Sequence, residues 1–209
     1  MNRLTLALAT LIALTLTATP ALTGLEPSPF TPEINQLYAI DNQLQSIAKR
    51  VDDKLSLPPD DQTPGTVNAT WAMEEKLIKL NDLQVLIMQD VLDVLQDPTL
   101  GMPPDDQLPP VIAALDTLIV SAAGITFAID EYKADFGIPP DDQTPFIVAL
   151  NAVFTATLNL SETSQLYSAI LEEPCSLFLN PTDCNAIDGC GWNPSADPAG
   201  CFPGNNLGS

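Results

Sequence analysis

Histidine is absent from this 209-residue chain. That one absence removes a Ser-His-Asp triad, a Cys-His pair and any imidazole-held metal. Basic residues are scarce, with seven Lys and Arg against 27 Asp and Glu. No glycine-rich phosphate loop and no Walker-type lysine occur, so nucleotide chemistry has no cradle. Paired carboxylates of the kind that cleave glycosides remain, but an acid-rich chain makes many such pairs without catalytic meaning. The pattern is that of a non-enzyme, and no cofactor is implied. Cysteine, too, is missing until residue 175.

What is present is mostly acid and apolar surface. Every acid lies beyond the N-terminal apolar stretch, while Arg3 lies inside it. Residues 22–209 therefore set six bases against 27 acids, a net charge of −21. Such a polyanion repels nucleic acid and anionic membranes. Its natural partners are extracellular proteins with basic surfaces, and cations. An apolar fraction of 45% is too high for an acidic disordered tail, so a folded core is expected.

The opening "MNRLTLALATLIALTLTATPALTG" has one basic residue, an apolar run from Leu4 to Leu16, and then small residues. This is the layout of a secretory signal peptide over residues 1–21, with Thr19 and Ala21 at the small-residue positions before cleavage. The rival reading, a membrane anchor, needs about 20 apolar residues, and this run is shorter. Later apolar runs carry regularly spaced polar residues, so no transmembrane segment is expected after signal removal. The end, "CFPGNNLGS", lacks the hydrophobic stretch of a lipid-anchor signal. Roughly 185 residues then remain, enough for one core and a small appendage.

The phrase "PPDDQTP" occurs at 58–64 and again at 139–145, with "PPDDQLP" at 103–109. It divides the chain into segments with helical periodicity. One seam runs Ile34, Leu37, Asp41, Leu44, Ala48, Val51, Leu55, and a second Met73, Leu77, Leu80, Gln84, Ile87, Val91, Val94. The third runs Val111, Leu115, Leu118, Ala122, Ile125, Ile129, Tyr132, Phe136. The fourth runs Phe146, Leu150, Val153, Thr157, Leu160, Ser164, Tyr167, Leu171. Steps of three and four place each set on one helix face, and Ile47, Leu83, Ile112 and Ile119 widen the stripes.

The repeated phrase reads as stop, turn and start. Gly101, Gly137 and, less comfortably, Ser56 occupy the place of a left-handed helix end. Paired prolines forbid continuation, and Asp or Thr with Pro64, Pro109 or Pro145 opens the next helix. Thr31-Pro32-Glu33 opens the first in the same style. Short connectors imply antiparallel neighbours. The expected fold is all-α, an up-down-up-down four-helix bundle with a disulfide-knotted C-terminal appendage. Its bounds are a linker over 22–30, a bundle over 31–173 with helices at 31–55, 64–96, 108–136 and 145–172, and a cysteine-rich tail over 174–209. The two identical phrases then share one end of the bundle, as duplication of a helical hairpin requires.

Asp60, Asp61, Asp141 and Asp142 could meet at that end as oxygen ligands for calcium. Capping is the stronger reading, because acids at helix N-termini satisfy free N–H groups and the positive dipole end discourages a cation. The calcium-loop spacing is absent, and no metal site is assigned. Polar Asp41, Gln84, Thr157 and Ser164 interrupt the seams. They line a buried network, or a local register shift turns them outward and brings Ile40 or Leu83 in; the shift is the simpler expectation. Thr and Ser can also bond to their own helix backbone. Asn68-Ala69-Thr70 and Asn159-Leu160-Ser161 are N-glycosylation sequons, with Asn159 the doubtful one beside inward-facing Leu160.

Cys175, Cys184, Cys190 and Cys201 cluster behind a leader, which points to two disulfides with three connectivities open. A zinc site would need all four thiolates and lacks the short C-x-x-C clips. The run from Cys175 to Phe202, with C-x5-C-G-W and a further Cys, resembles the PSI module of plexins, semaphorins and integrins. Asn193 stands where that module has another cysteine. The resemblance implies pairings Cys175–Cys190 and Cys184–Cys201, and a knot that orients its neighbours without chemistry, with Trp192 against the end of the bundle. The whole reads as a secreted, acidic, non-enzymatic binding or surface protein acting through its bundle. The alternatives are a calcium- or mineral-associated protein and a carrier of a small apolar ligand in the bundle core.

Overall fold

The computed structural model describes residues 29–57, 63–97, 107–136, 144–186, 190–196 and 198–203. Four long helices carry most of them: α1 (Thr31–Leu55), α2 (Pro64–Gln96), α3 (Pro109–Phe136) and α4 (Thr144–Glu172). The three-four stepping is what buries. Leu37, Leu44 and Val51 of α1, Met73, Leu77 and Val91 of α2, Leu115, Leu118 and Ile129 of α3, and Leu150, Val153 and Leu160 of α4 fill one continuous core. Ile47 is fully buried, and Ile112 packs half-buried against the same core. Leu83 departs from expectation: it is 38% exposed, because its neighbour Gln84 takes the inward position.

The helices begin where proline permits. Pro64 sits in the first turn of α2, and Thr63 before it is extended, its side-chain oxygen accepting from the Thr66 N–H at 3.4 Å. At α1 the cap is different from the one the sequence suggested. Thr31 is already helical, Phe30 holds the N-cap position without a side-chain bond, and its ring is buried in the bundle core. Residue 30 thus belongs to the bundle rather than to a linker, and an apolar plug stands where a polar cap was expected. Ser56 stays right-handed, with its N–H and Oγ both donating to the Asp52 carbonyl at 2.9 and 2.8 Å. Those two donors satisfy a carbonyl that a left-handed residue would otherwise have served. Gly101, Gly137 and the Pro-Pro-Asp-Asp core of each repeated phrase lie outside the described residues.

The packing order differs from the simplest bundle. α3 lies along α4, α2 along α4 and α1 along α3, with a smaller contact between α1 and α2. The expectation that every connector joins neighbours holds for α1–α2 and α3–α4 and fails for α2–α3, which sit across the bundle from each other. Directions follow from which residues lie side by side. Glu74 and Ile78 line one groove with Asn151 and Asn159, and farther along both helices Gln84 meets Ser164, so α2 and α4 run the same way. The short connectors 56–63 and 137–143 reverse α1 into α2 and α3 into α4. The helices therefore alternate up and down, and α1/α3 and α2/α4 are parallel neighbours. The seams of the two hairpins also superpose. Shifting the α1 seam by 81 positions carries Leu37, Leu44 and Val51 onto Leu118, Ile125 and Tyr132. A shift of 80 carries Met73, Leu80 and Gln84 onto Val153, Leu160 and Ser164.

Mid-α3, Gly124 has open space where a Cβ would stand, with nothing within 4 Å. Alanine there restricts the unfolded chain and adds helix propensity without a clash, so Gly124→Ala is expected to stabilise by about 0.5–1 kcal/mol. A rise in urea midpoint at unchanged slope is the check.

Beyond α4 come a 3-10 turn (Pro174–Leu177), the short α5 (Pro181–Ala186) and an antiparallel pair, β1 (Cys190–Asn193) with β2 (Gly200–Pro203). Trp192 lies opposite Cys201 in the register. Asn180 opens α5 by accepting from the Asp183 N–H at 3.0 Å, and Asn185 Oδ1 takes the Trp192 N–H at 3.1 Å. Cys175 is bonded to Cys190 and Cys184 to Cys201, each pair with Cα atoms 5.7 Å apart. These sulfurs and Phe178 form a second, small core. Leu177 touches both cores and joins tail to bundle. Trp192 packs on the small core rather than on the end of the bundle, because its strand is pinned by Cys190 at one end and paired with Cys201.

Candidate functional site

The polar residues of the seams are inside, and the register-shift expectation is overturned. Gln84, Thr157 and Ser164 have no exposed surface, and Asp41 keeps 8%. Ile40 is buried as well, so Asp41 shares the inner face rather than yielding it. Gln84 Nε2 donates to Ser164 Oγ at 2.8 Å, and Ser164 Oγ donates to the Leu160 carbonyl at 3.0 Å. Thr157 Oγ1 returns to the Val153 carbonyl at 2.7 Å. On the other side of the bundle Ser121 donates to Asp41 Oδ1 at 2.5 Å and Gln45 to Asp41 Oδ2 at 2.8 Å. Gln84 Oε1 is buried with no hydrogen-bond partner among the described residues. These groups tie α2 to α4 and α1 to α3. They are a sparse internal scaffold of side-chain bonds between helices.

The surface is unevenly charged. α1 and α2 hold nine acids and five bases, whereas α3 and α4 hold six acids and one base. Lys79 bonds to Glu75 at 2.7 Å, and that ammonium holds the Glu75 carboxyl below its ordinary range, through the hydrogen bond first and charge second. Burial pushes the Tyr167 phenol up. Lys133 Nζ lies 4.9 Å over the Phe154 ring, joining α3 to α4 by a cation–π contact.

Between parallel α2 and α4 runs a shallow groove of about 370 Å³, lined by Glu74, Ile78, Asn151, Thr155 and Asn159 among others. Trp71, Ile78 and Leu86 on α2, with Val148 and Leu166 on α4, are exposed large apolar residues. Both sequon asparagines are exposed, Asn68 in the first turns of α2 and Asn159 on the groove wall. Adjacent helix positions point about 100° apart, so buried Leu160 does not draw Asn159 inward with it.

Two helical stretches, Pro109–Asp135 and Pro145–Glu172, are long and apolar enough to cross a membrane, which the regular polar interruptions had not suggested. In the bundle fewer than half of the residues in each critical window are buried. The sulfurs of Cys175, Cys190 and Cys201 lie within 4.8 Å of one another, but each is spent in a disulfide and none is a free ligand. Asp60, Asp61, Asp141 and Asp142 lie outside the described residues, as do the N-terminal 28. Compared with protein-family models, with curated proteins and with solved structures, the chain matches none of them.

Proposed function

We propose that this is a secreted, acidic, non-enzymatic binding or surface protein whose helical bundle is the interaction body. In this reading residues 1–21 direct export and are removed. No segment then remains in a membrane, and the tail serves as a PSI-like spacer. The observation that carries the reading is the pair of disulfides, which leaves no free thiol among four cysteines. Such bonds persist in oxidising compartments and are rare in the cytosol. The acidic skin favours a basic protein surface as partner, and the exposed apolar residues of α2 and α4 supply area to bury against it.

The test is expression of the whole chain with its own N-terminus. The expected product is found outside the cell, begins at Leu22 and takes up no alkylating reagent before reduction. A product retained in the cell membrane with residues 1–21 attached overturns the reading. Calorimetric titration with calcium addresses the acidic-ligand alternative, which a clear binding heat and a rise in melting temperature would favour.

A further inference from the structure

The tail holds a concavity separate from the bundle groove. A cleft of about 460 Å³ opens between the exit of the 3-10 turn and the β-hairpin, lined mainly by Phe178, Leu179, Trp192, Pro198 and Phe202. Packing of the tail does not explain two of these side chains. Leu179 is 86% exposed and Phe202 44% exposed, on the rim of a cleft whose floor includes buried Phe178. A leucine and a phenylalanine held in water around an aromatic floor form an apolar patch that no other described residue covers.

The stretch of chain that carries the patch has charge of one sign: from Ala134 to Ser209 it has nine acids and no lysine or arginine. Glu172 and Glu173 lead into the 3-10 turn and Asp183 lies on α5, all three exposed. We propose that the cleft docks an extended basic segment of a partner protein. One large apolar side chain of that segment sits among Phe178, Trp192 and Phe202, with lysines or arginines on either side. The aromatic walls suit both elements, since they bury an apolar anchor and attract a cation over their faces. The disulfides Cys175–Cys190 and Cys184–Cys201 hold the two walls before the peptide arrives, which lowers the ordering cost of binding.

A second copy of this chain does not meet the requirement. The six basic residues beyond Arg3 are Lys49, Arg50 and Lys54 in α1, Lys76 and Lys79 in α2, and Lys133 in α3. All are locked in helices, so a second copy has no extended basic strand to offer. The inference goes beyond the bundle reading and does not depend on it, because the cleft and the α2–α4 groove share no residue.

The test uses the full disulfide-bonded chain carrying Trp71→Phe, which leaves Trp192 as the one tryptophan reporter. The probe is a short synthetic peptide with a central phenylalanine flanked by lysine and arginine. A saturable blue shift of Trp192 emission is expected. Leu179→Ser and Phe202→Ser should each weaken binding at least tenfold at unchanged melting temperature, since both side chains are exposed. The same peptide with glutamates for its basic residues should not bind. The proposal is overturned by any of three results: no saturable change, equal binding to the two serine variants, or equal binding of the glutamate peptide. It is likewise overturned if sedimentation shows a dimer that Leu179→Ser abolishes, which would make a second copy the occupant.

Discussion

Replacing Cys184 and Cys201 together by serine is expected to unfold the tail and leave the four long helices standing. The small core has five buried residues, and four of them are the half-cystines themselves. A segment of about 30 residues cannot bury enough apolar surface to hold a fold alone. The Cys184–Cys201 bond closes a separation of 17 residues, a loop size for which cross-linking stabilises by about 3 kcal/mol. Four residues of β1 against four of β2 offer no reserve against that loss. The bundle core, in contrast, meets the tail mainly through Leu177. Helical circular dichroism should therefore change little. Amide protection over residues 190–203 should vanish, and a protease should cut the chain after α4. Cooperative loss of helix in the double variant would mean that bundle and tail fold as one unit, contrary to the separation of the two cores.

The same separation explains what could be read from the chain beforehand. The helix seams were legible because each is a local period: Leu115, Leu118, Ala122, Ile125 and Ile129 declare one face whatever the partner helix is. The proline phrases were legible as boundaries for the same reason, since proline acts on its own backbone and its predecessor's. Side-by-side order was not local. Loop length alone favours α2 beside α3, yet α2 lies along α4, and only the packed faces decide it. The cap of α1 was misread because Phe30 answers to the bundle core and not to the helix end. At the candidate surfaces, the cysteine cluster was visible in the sequence. The cleft of Phe178, Leu179 and Phe202 was not, because its residues come from the exit of the 3-10 turn and from β2, segments distant in sequence that the hairpin pairing and the disulfides bring together. The exposure of Leu179 has no counterpart in its spacing.

The polar seam residues are where local reading failed, and they yield the other large effect. Ser164→Ala is expected to destabilise the bundle by about 1–3 kcal/mol, the cost of leaving a buried polar group unpaired. Gln84 is wholly buried, its Oε1 has no partner among the described residues, and Ser164 is the acceptor for its Nε2. Deleting one hydroxyl therefore strands the entire carboxamide. Gln84→Leu acts in the opposite direction. It keeps nearly the same volume, removes the orphaned oxygen, and leaves Ser164 its bond to the Leu160 carbonyl. It is expected to be neutral or stabilising by about 1 kcal/mol. The double variant should then resemble Gln84→Leu alone, because the hydroxyl no longer has a carboxamide to serve. Denaturant midpoints of the four proteins complete the cycle. The sign of Gln84→Leu decides what the pair does. α2 and α4 are parallel and carry nearly interchangeable seams, so sliding one by a heptad would leave most apolar contacts intact. The Gln84–Ser164 bond joins equivalent positions 80 residues apart and would be broken by any such slide. If Gln84→Leu raises the midpoint but yields doubled or broadened amide resonances along α2 and α4, the buried pair sets register at the expense of stability. If it raises the midpoint and the spectrum stays single, the large and small side chains of the seams suffice to align the helices. A fall in midpoint would show instead that the one hydrogen bond outweighs the stranded oxygen, against the burial argument made for it.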